Sequence, residues 1–222
     1  MKRIAIALLI VLMAASAQAA TIFDIQNGVF AEGDLVDLSG VVVTAVRSGG
    51  VYVAEAPYGP YNGIWCYGQE GFVVGDVLDI VGGEYTEYYD LSEVLTADAT
   101  VTLVGSGTVV EPYVVDAATL FGDPEPYESC LVKVSDGMMV SSIGDYGMWF
   151  ADAVDGTVVT FDDYFFDDTT VMVGDCYNSV TGIMDYSYSE WKLHPLEDGV
   201  ELIDCTVATE EINLESIKAL YR

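Results

Sequence analysis

Few side chains in this sequence can carry out bond-breaking chemistry, and their scarcity excludes more than their placement suggests. His194 is the one histidine in 222 residues. It precedes Pro195 and reads as a histidine in a surface turn. Metal-assisted phosphodiester cleavage through paired histidines therefore lacks its residues. No Gly-x-Ser-x-Gly elbow presents a nucleophile, and no glycine-rich loop with its lysine cradles a phosphate. Carboxylates are so common that no single acid–base pair stands out. The expectation is a protein without catalysis.

Two other sets of residues can bind rather than react. The run Phe161 to Asp168 carries Asp162, Asp163, Asp167 and Asp168, whose clustered oxygens can coordinate Ca²⁺. Its spacing departs from the EF-hand loop and no glycine sits at its turn, so a solvated acidic loop is the stronger reading. No cofactor is expected beyond that Ca²⁺ option. The aromatic residues Tyr52, Trp65, Tyr67 and Trp149 fall on candidate strands. Alternation puts Trp65 and Tyr67 on one face, opposite Ile64 and Cys66. Such a face can stack on an oligonucleotide or an oligosaccharide, and an acidic background suits sugars better than phosphates. The alternative is that these rings form barrel core or pack two domains together. Two Tyr-rich hairpins, Tyr85–Tyr89 and Tyr186–Tyr188, suit either protein contacts or cross-strand packing.

Export sets the environment of all these residues. Lys2 and Arg3 precede an apolar run from Ile4 to Ala15, and Ala17-Gln18-Ala19 offers small residues for cleavage. Residues 1–19 read as a signal peptide, which makes the protein secreted, extracellular or periplasmic, with no membrane span after removal. Cleavage leaves five cationic residues against 36 acidic ones, a net charge of −31. Such a charge repels nucleic acid, whose affinity rests on Lys and Arg at phosphates. High salt, divalent cations or a basic partner would suit it. A hydrophobic fraction of 52% with 15 tyrosines argues against disorder. The four cysteines, Cys66, Cys130, Cys176 and Cys205, read as two disulfides. Pairing of the last two strands would join Cys176 to Cys205 and leave Cys66 with Cys130.

The elements that position these residues are β throughout. Candidate strands are Leu35–Val46, Val51–Ala56, Gly63–Tyr67, Asp76–Tyr85 and Thr100–Val104. The pattern then recurs. Val74-Gly75-Asp76 returns as Val173-Gly174-Asp175, Gly83 falls on Gly182, and Tyr89 falls on Tyr188. Leu35 to Ser39 parallels Leu131 to Ser135, and Val51 to Ala56 parallels Met148 to Ala153. Each copy reads as five strands closing into a small barrel of the oligonucleotide/oligosaccharide-binding (OB) type. The expected division is 20–104 for barrel 1, 105–129 for an extended linker with a helical turn at Ala117–Phe121, and 130–205 for barrel 2. A tail, 206–222, is expected to form a short helix with Ile212, Ile217, Leu220 and Tyr221 on one side.

The runs Gly40 to Ala45, Gly50 to Ala56, Asn62 to Tyr67 and Val74 to Gly82 resemble the OB-fold modules that accompany secreted bacterial nucleases of the endonuclease/exonuclease/phosphatase class. Glu111-Pro112 and Tyr127-Glu128 fit the same pattern. The resemblance spans most of Leu35 to Asp204. It implies a nucleic-acid-binding accessory role. The residues themselves leave two expectations: a secreted all-β binding module for nucleic acid or oligosaccharide, or a structural subunit that self-associates or joins other extracellular proteins.

Overall fold

The computed structural model describes residues 18–166, 168–203 and 205. The first 17 residues of the expected signal peptide, Asp167 and the 206–222 tail lie outside the described residues. No helix among the described residues is long and apolar enough to cross a membrane.

Two closed five-stranded barrels make up the chain. A two-residue strand β1 (Gln18–Ala19) and a short helix α1 (Ile22–Gln26) lead into barrel 1. The hydroxyl of Thr21 accepts from the Asp24 N–H and caps α1. The barrel strands are β2 (Leu35–Arg47), β3 (Gly50–Ala54), β4 (Gly63–Tyr67), β5 (Val77–Tyr88) and β6 (Leu91–Leu95). β2 pairs with β3 and β3 with β4, all antiparallel. β4 then runs parallel to β6, β6 returns against β5, and β5 closes on β2. Neighbour order first-second-third-fifth-fourth, with a parallel third–fifth pair, is the OB arrangement.

The expected fifth strand, Thr100–Val104, is not the barrel's. Leu91–Leu95 takes that place, and β7 (Thr100–Gly105) adds to the outer edge of β5 instead. The expected linker also has more structure than a spacer. It holds β8 (Tyr113–Val115), helix α2 (Ala117–Gly122) and a 3₁₀ turn at Glu125–Tyr127. β8 runs parallel to β9 (Leu131–Val134), and Val115, Ala117, Leu120 and Tyr127 join the core of barrel 2.

Barrel 2 repeats the order with β10 (Met138–Ile143), β11 (Trp149–Ala153), β12 (Val158–Phe161), β13 (Cys176–Ser187) and β14 (Glu190–Ile203). Its first strand is split into β9 and β10, where β2 is continuous. The repeat is seen in register: Val36 faces Gly83 across β2 and β5, and Val132 faces Gly182 across β9 and β13.

The two cores are separate. Val36, Leu38, Val51, Val53, Ile64 and Leu78 fill barrel 1. Val132, Val140, Trp149, Phe161, Tyr177 and Leu193 fill barrel 2. A third cluster, Ala45, Tyr52, Trp65, Leu91 and Ile183, lies between them, with Leu131, Phe165 and Leu196 packed on it. Its members come from both barrels. This explains β3, where all five residues are buried although alternation sends them to opposite faces. Val51 and Val53 point into barrel 1, while Tyr52 points at barrel 2. Burying an aromatic side chain such as Tyr52 or Trp65 contributes about 3 kcal/mol.

Cys176 and Cys205 form a disulfide, with Cα atoms 5.5 Å apart. Cys66 and Cys130 do not pair and are buried as free thiols. Strand alternation turns Cys66 into the core of barrel 1, whereas Cys130 enters β9 and the core of barrel 2. The Cys130 thiol donates to the Gly59 carbonyl at 3.0 Å. Burial pushes both thiols up to about 12.

Candidate functional site

Of the aromatic residues read either as a contact face or as core and interdomain packing, Tyr52, Trp65 and Trp149 take the second role. Tyr52 and Trp65 are 0% and 2% exposed because the second barrel covers that side of β3 and β4. Trp149 points the other way, into barrel 2, and stacks on Phe161 at 5.2 Å. Tyr67 is half exposed at the end of β4 and is not a wall of the cleft described below. Alternation separates Ile64 and Cys66 from Trp65 as expected. What it could not show is that another barrel occupies the outer face.

The polar groups beneath that interface are tightly engaged. The Tyr52 hydroxyl donates to Asp185 Oδ2 at 2.8 Å. Arg47 reaches the same oxygen at 3.4 Å, with its guanidinium 4.4 Å from the Trp65 ring and 4.6 Å from that of Tyr164. Lys192 Nζ lies 3.1 Å from Asp162 Oδ2 and 5.3 Å from the Tyr188 ring. Burial raises the Asp185 carboxyl, opposed by the Arg47 charge. Burial raises the Tyr52 hydroxyl too, and Asp185 adds to it.

His194 corrects the sequence reading outright. It is fully buried, stacks on Tyr164 at 4.2 Å and 6°, and lies 3.7 Å from Asp185. It sits on β14 facing Ile183 of β13, so the Pro195 that suggested a turn lies within a strand. Burial pulls its imidazole down to about 3, so it is neutral at physiological pH. As a neutral ring it forms no ion pair with Asp185.

Of the four aspartates of the acidic loop, the side chains of Asp162 and Asp163 are among the described residues. Asp162 is buried and matched by Lys192, and the Asp163 carboxylate packs against Gly147. Asp168 opens a 3₁₀ turn. Among the described residues no group of three or more His, Cys, Asp or Glu is placed to hold a metal ion.

Above this network the surface opens into a cleft of two adjoining lobes. One, of about 540 Å³, is walled by Tyr146, Met148, Tyr164 and Tyr188, with Asp162, Asp163, Glu190 and Lys192. The other, of about 500 Å³, is walled by Tyr88, Tyr89, Leu91, Tyr164, Tyr186 and Tyr188, with Arg47 and Asp185 at its polar side. Tyr164 and Tyr188 serve both. Among the described residues six tyrosines line the two lobes. Each lobe has the size of an ordinary small-ligand site.

Three local features present these rings. The β5–β6 hairpin turns through Tyr89 and Asp90, with φ of 53° and 66°. The β13–β14 hairpin turns through Tyr188 and Ser189, with φ of 53° and 65°. Both are two-residue loops with positive φ throughout, which Asn-Gly would fill with least strain. A bulky residue there costs about 1–2 kcal/mol, yet a tyrosine occupies the first position of both. Tyr146, in the β10–β11 loop, also has a positive φ, of 58°. Tyr89, Tyr146 and Tyr188 are 80%, 95% and 89% exposed. Strained backbone that holds an exposed ring points to a site rather than to packing.

Sequence reasoning singled out the two hairpins but not their convergence with Tyr146 and Tyr164. Nor did it find Arg47, Lys192 or Glu190. One signal was available. In a chain with seven Lys and Arg residues, two meet at this junction.

No protein-family model matches the chain, and no curated protein matches it. Among solved structures, a murine DNA-binding protein bound with double-stranded DNA is 12% identical, with a TM-score of 0.39 over 76% of this chain and 95% of that one. Fission yeast Pot1 with single-stranded DNA is also 12% identical, with a TM-score of 0.39 over 91% of this chain and 93% of that one. The tetrameric p202 HIN2 domain is 11% identical, with a TM-score of 0.37 over 78% of this chain and 94% of that one. Likeness of this degree carries no argument about what this chain binds.

Proposed function

We propose that this protein is an exported, non-catalytic binding module whose inter-barrel cleft takes an oligosaccharide. The observation that carries the reading is the lining of the cleft: six tyrosines, with both cations already held by buried carboxylates. Sugar rings present C–H faces that stack on aromatic rings, and their hydroxyls donate to carboxylates such as Glu190. OB barrels commonly bind along the outer sheet face and its flanking loops. Here the face of β3 and β4 is closed by the second barrel, and the hairpin tips and the β10–β11 loop supply the surface instead.

The nucleic-acid role implied by the family resemblance is not adopted. Single-strand binding combines stacking rings with a basic groove that follows the phosphates. The rings are present, but Arg47 and Lys192 are each matched by a carboxylate, and the chain's formal charge is −29. Calorimetry against a panel of tetrasaccharides and a single-stranded oligonucleotide, at low ionic strength, tests the choice. Saturable uptake of a saccharide supports it. Uptake of the oligonucleotide alone overturns it.

A further inference from the structure

The two lobes of the cleft differ in charge, and this bears on which sugar each accepts. In the lobe shared by Tyr88, Tyr89 and Tyr186, Arg47 faces Asp185 and the charges match. In the lobe walled by Tyr146, Tyr164 and Tyr188, Asp162 already matches Lys192, and Glu190 adds a further carboxylate. Lys192 is itself held against Asp162, and its side chain is only 4% exposed. Glu190 is exposed at the rim, at the first position of β14.

We infer that the Tyr146–Tyr164–Tyr188 lobe is the subsite for an amino sugar carrying a free ammonium group. The inference rests on the saccharide reading above and refines it. Tyrosine faces attract cations through the ring quadrupole, and this protein already uses them so. The Arg47 guanidinium lies against Trp65, Tyr164 and Tyr52, and Lys192 Nζ lies over Tyr188. Tyr164 and Tyr188 already face Arg47 and Lys192, so an incoming ammonium would meet Tyr146, with Glu190 on the same lobe to accept its hydrogen bonds. The acidic field of the whole chain raises the local concentration of cations at such a cleft.

The test compares three β-1,4-linked tetrasaccharides by calorimetry: glucosamine, N-acetylglucosamine and glucose. They share a backbone shape and differ at the second carbon, which carries an ammonium, a neutral acetamide or a hydroxyl. Measurements run at about pH 6, above the ordinary carboxylate range, at low and at high salt. The glucosamine tetramer is expected to bind about tenfold more tightly than its N-acetylated form, near the upper range of a partly desolvated cation–π contact. High salt should narrow that gap, because the advantage is electrostatic. Glu190→Gln, an isosteric change at an exposed position, should narrow it about threefold at low salt. Equal affinity for the two tetramers overturns the inference, as does a gap that Glu190→Gln leaves intact. Failure of all three sugars to bind overturns the saccharide reading itself.

Discussion

Glu128 follows the 3₁₀ turn that enters barrel 2, yet its partners belong to barrel 1. Its Oε1 accepts from the Ser92 N–H at 3.0 Å and from the Gln26 amide at 3.3 Å. Its Oε2 has no hydrogen-bond partner among the described residues. The side chain is 1% exposed, and burial raises its carboxyl from 4.5 to about 8. Below about pH 4.5 the group is protonated in both folded and unfolded chains and imposes no penalty. As pH rises towards 8 the unfolded chain ionises and the folded one resists, so stability falls. Above that the loss is constant. At about 1.4 kcal/mol per unit, a shift of this size corresponds to an upper limit on the order of 5 kcal/mol. Glu128→Gln keeps an oxygen for Ser92 and Gln26 and removes the titration. Urea unfolding of both proteins should show the variant ahead by about 2–4 kcal/mol at about pH 9 and by much less at about pH 5. Comparison with the parent cancels the general repulsion of an acidic chain. A stability gap that is the same at both pH values would refute the reasoning.

Three further outcomes are expected. Arg47→Leu leaves Asp185 buried without its cation and should destabilise the fold by about 3 kcal/mol, measured by denaturant unfolding. Arg47→Leu with Asp185→Leu should recover part of that loss. Cys66 and Cys130 should resist alkylation in the native protein and react once it is unfolded without reductant, as read by mass spectrometry. Modification of neither thiol after unfolding would mean that they are paired. Tyr89→Gly and Tyr188→Gly relieve two strained positions and should leave stability unchanged or raised by up to about 1 kcal/mol each, checked by thermal melts.

The repeat was legible because its markers have local causes. Glycines facing the first strand and tyrosines at two-residue turns occupy equivalent places in both barrels. The fifth strand of barrel 1 was not legible. Leu91-Ser92-Glu93-Val94-Leu95 carries a buried serine and glutamate, which a simple alternation reads as a solvated break. Thr100–Gly105 has a stronger β composition but lies at the exposed edge. The linker hid its role for a related reason: Val115 and Leu120 are core residues of a barrel that begins later in the chain.

The site was half legible. Strand alternation tells which residues share a face, but not what covers that face. Tyr52 and Trp65 were therefore candidate contacts until barrel 2 was seen to close over them. His194 was misjudged likewise, because Pro195 suggested a turn where β14 continues as a strand. The cleft depends on two hairpins and a loop far apart in sequence, and only the packing of two barrels brings them together.

The exposed rings of Tyr89 and Tyr188 give the most direct test of saccharide binding in the cleft. Calorimetry would compare the parent with the Tyr89→Gly/Tyr188→Gly double variant, each titrated with the best-binding tetrasaccharide and with a single-stranded oligonucleotide. Saccharide binding by the parent, a loss of about tenfold or more in the variant, and no uptake of the oligonucleotide by either are expected. Oligonucleotide binding that weakens with salt, or saccharide binding unchanged by loss of both rings, would contradict saccharide binding in the cleft.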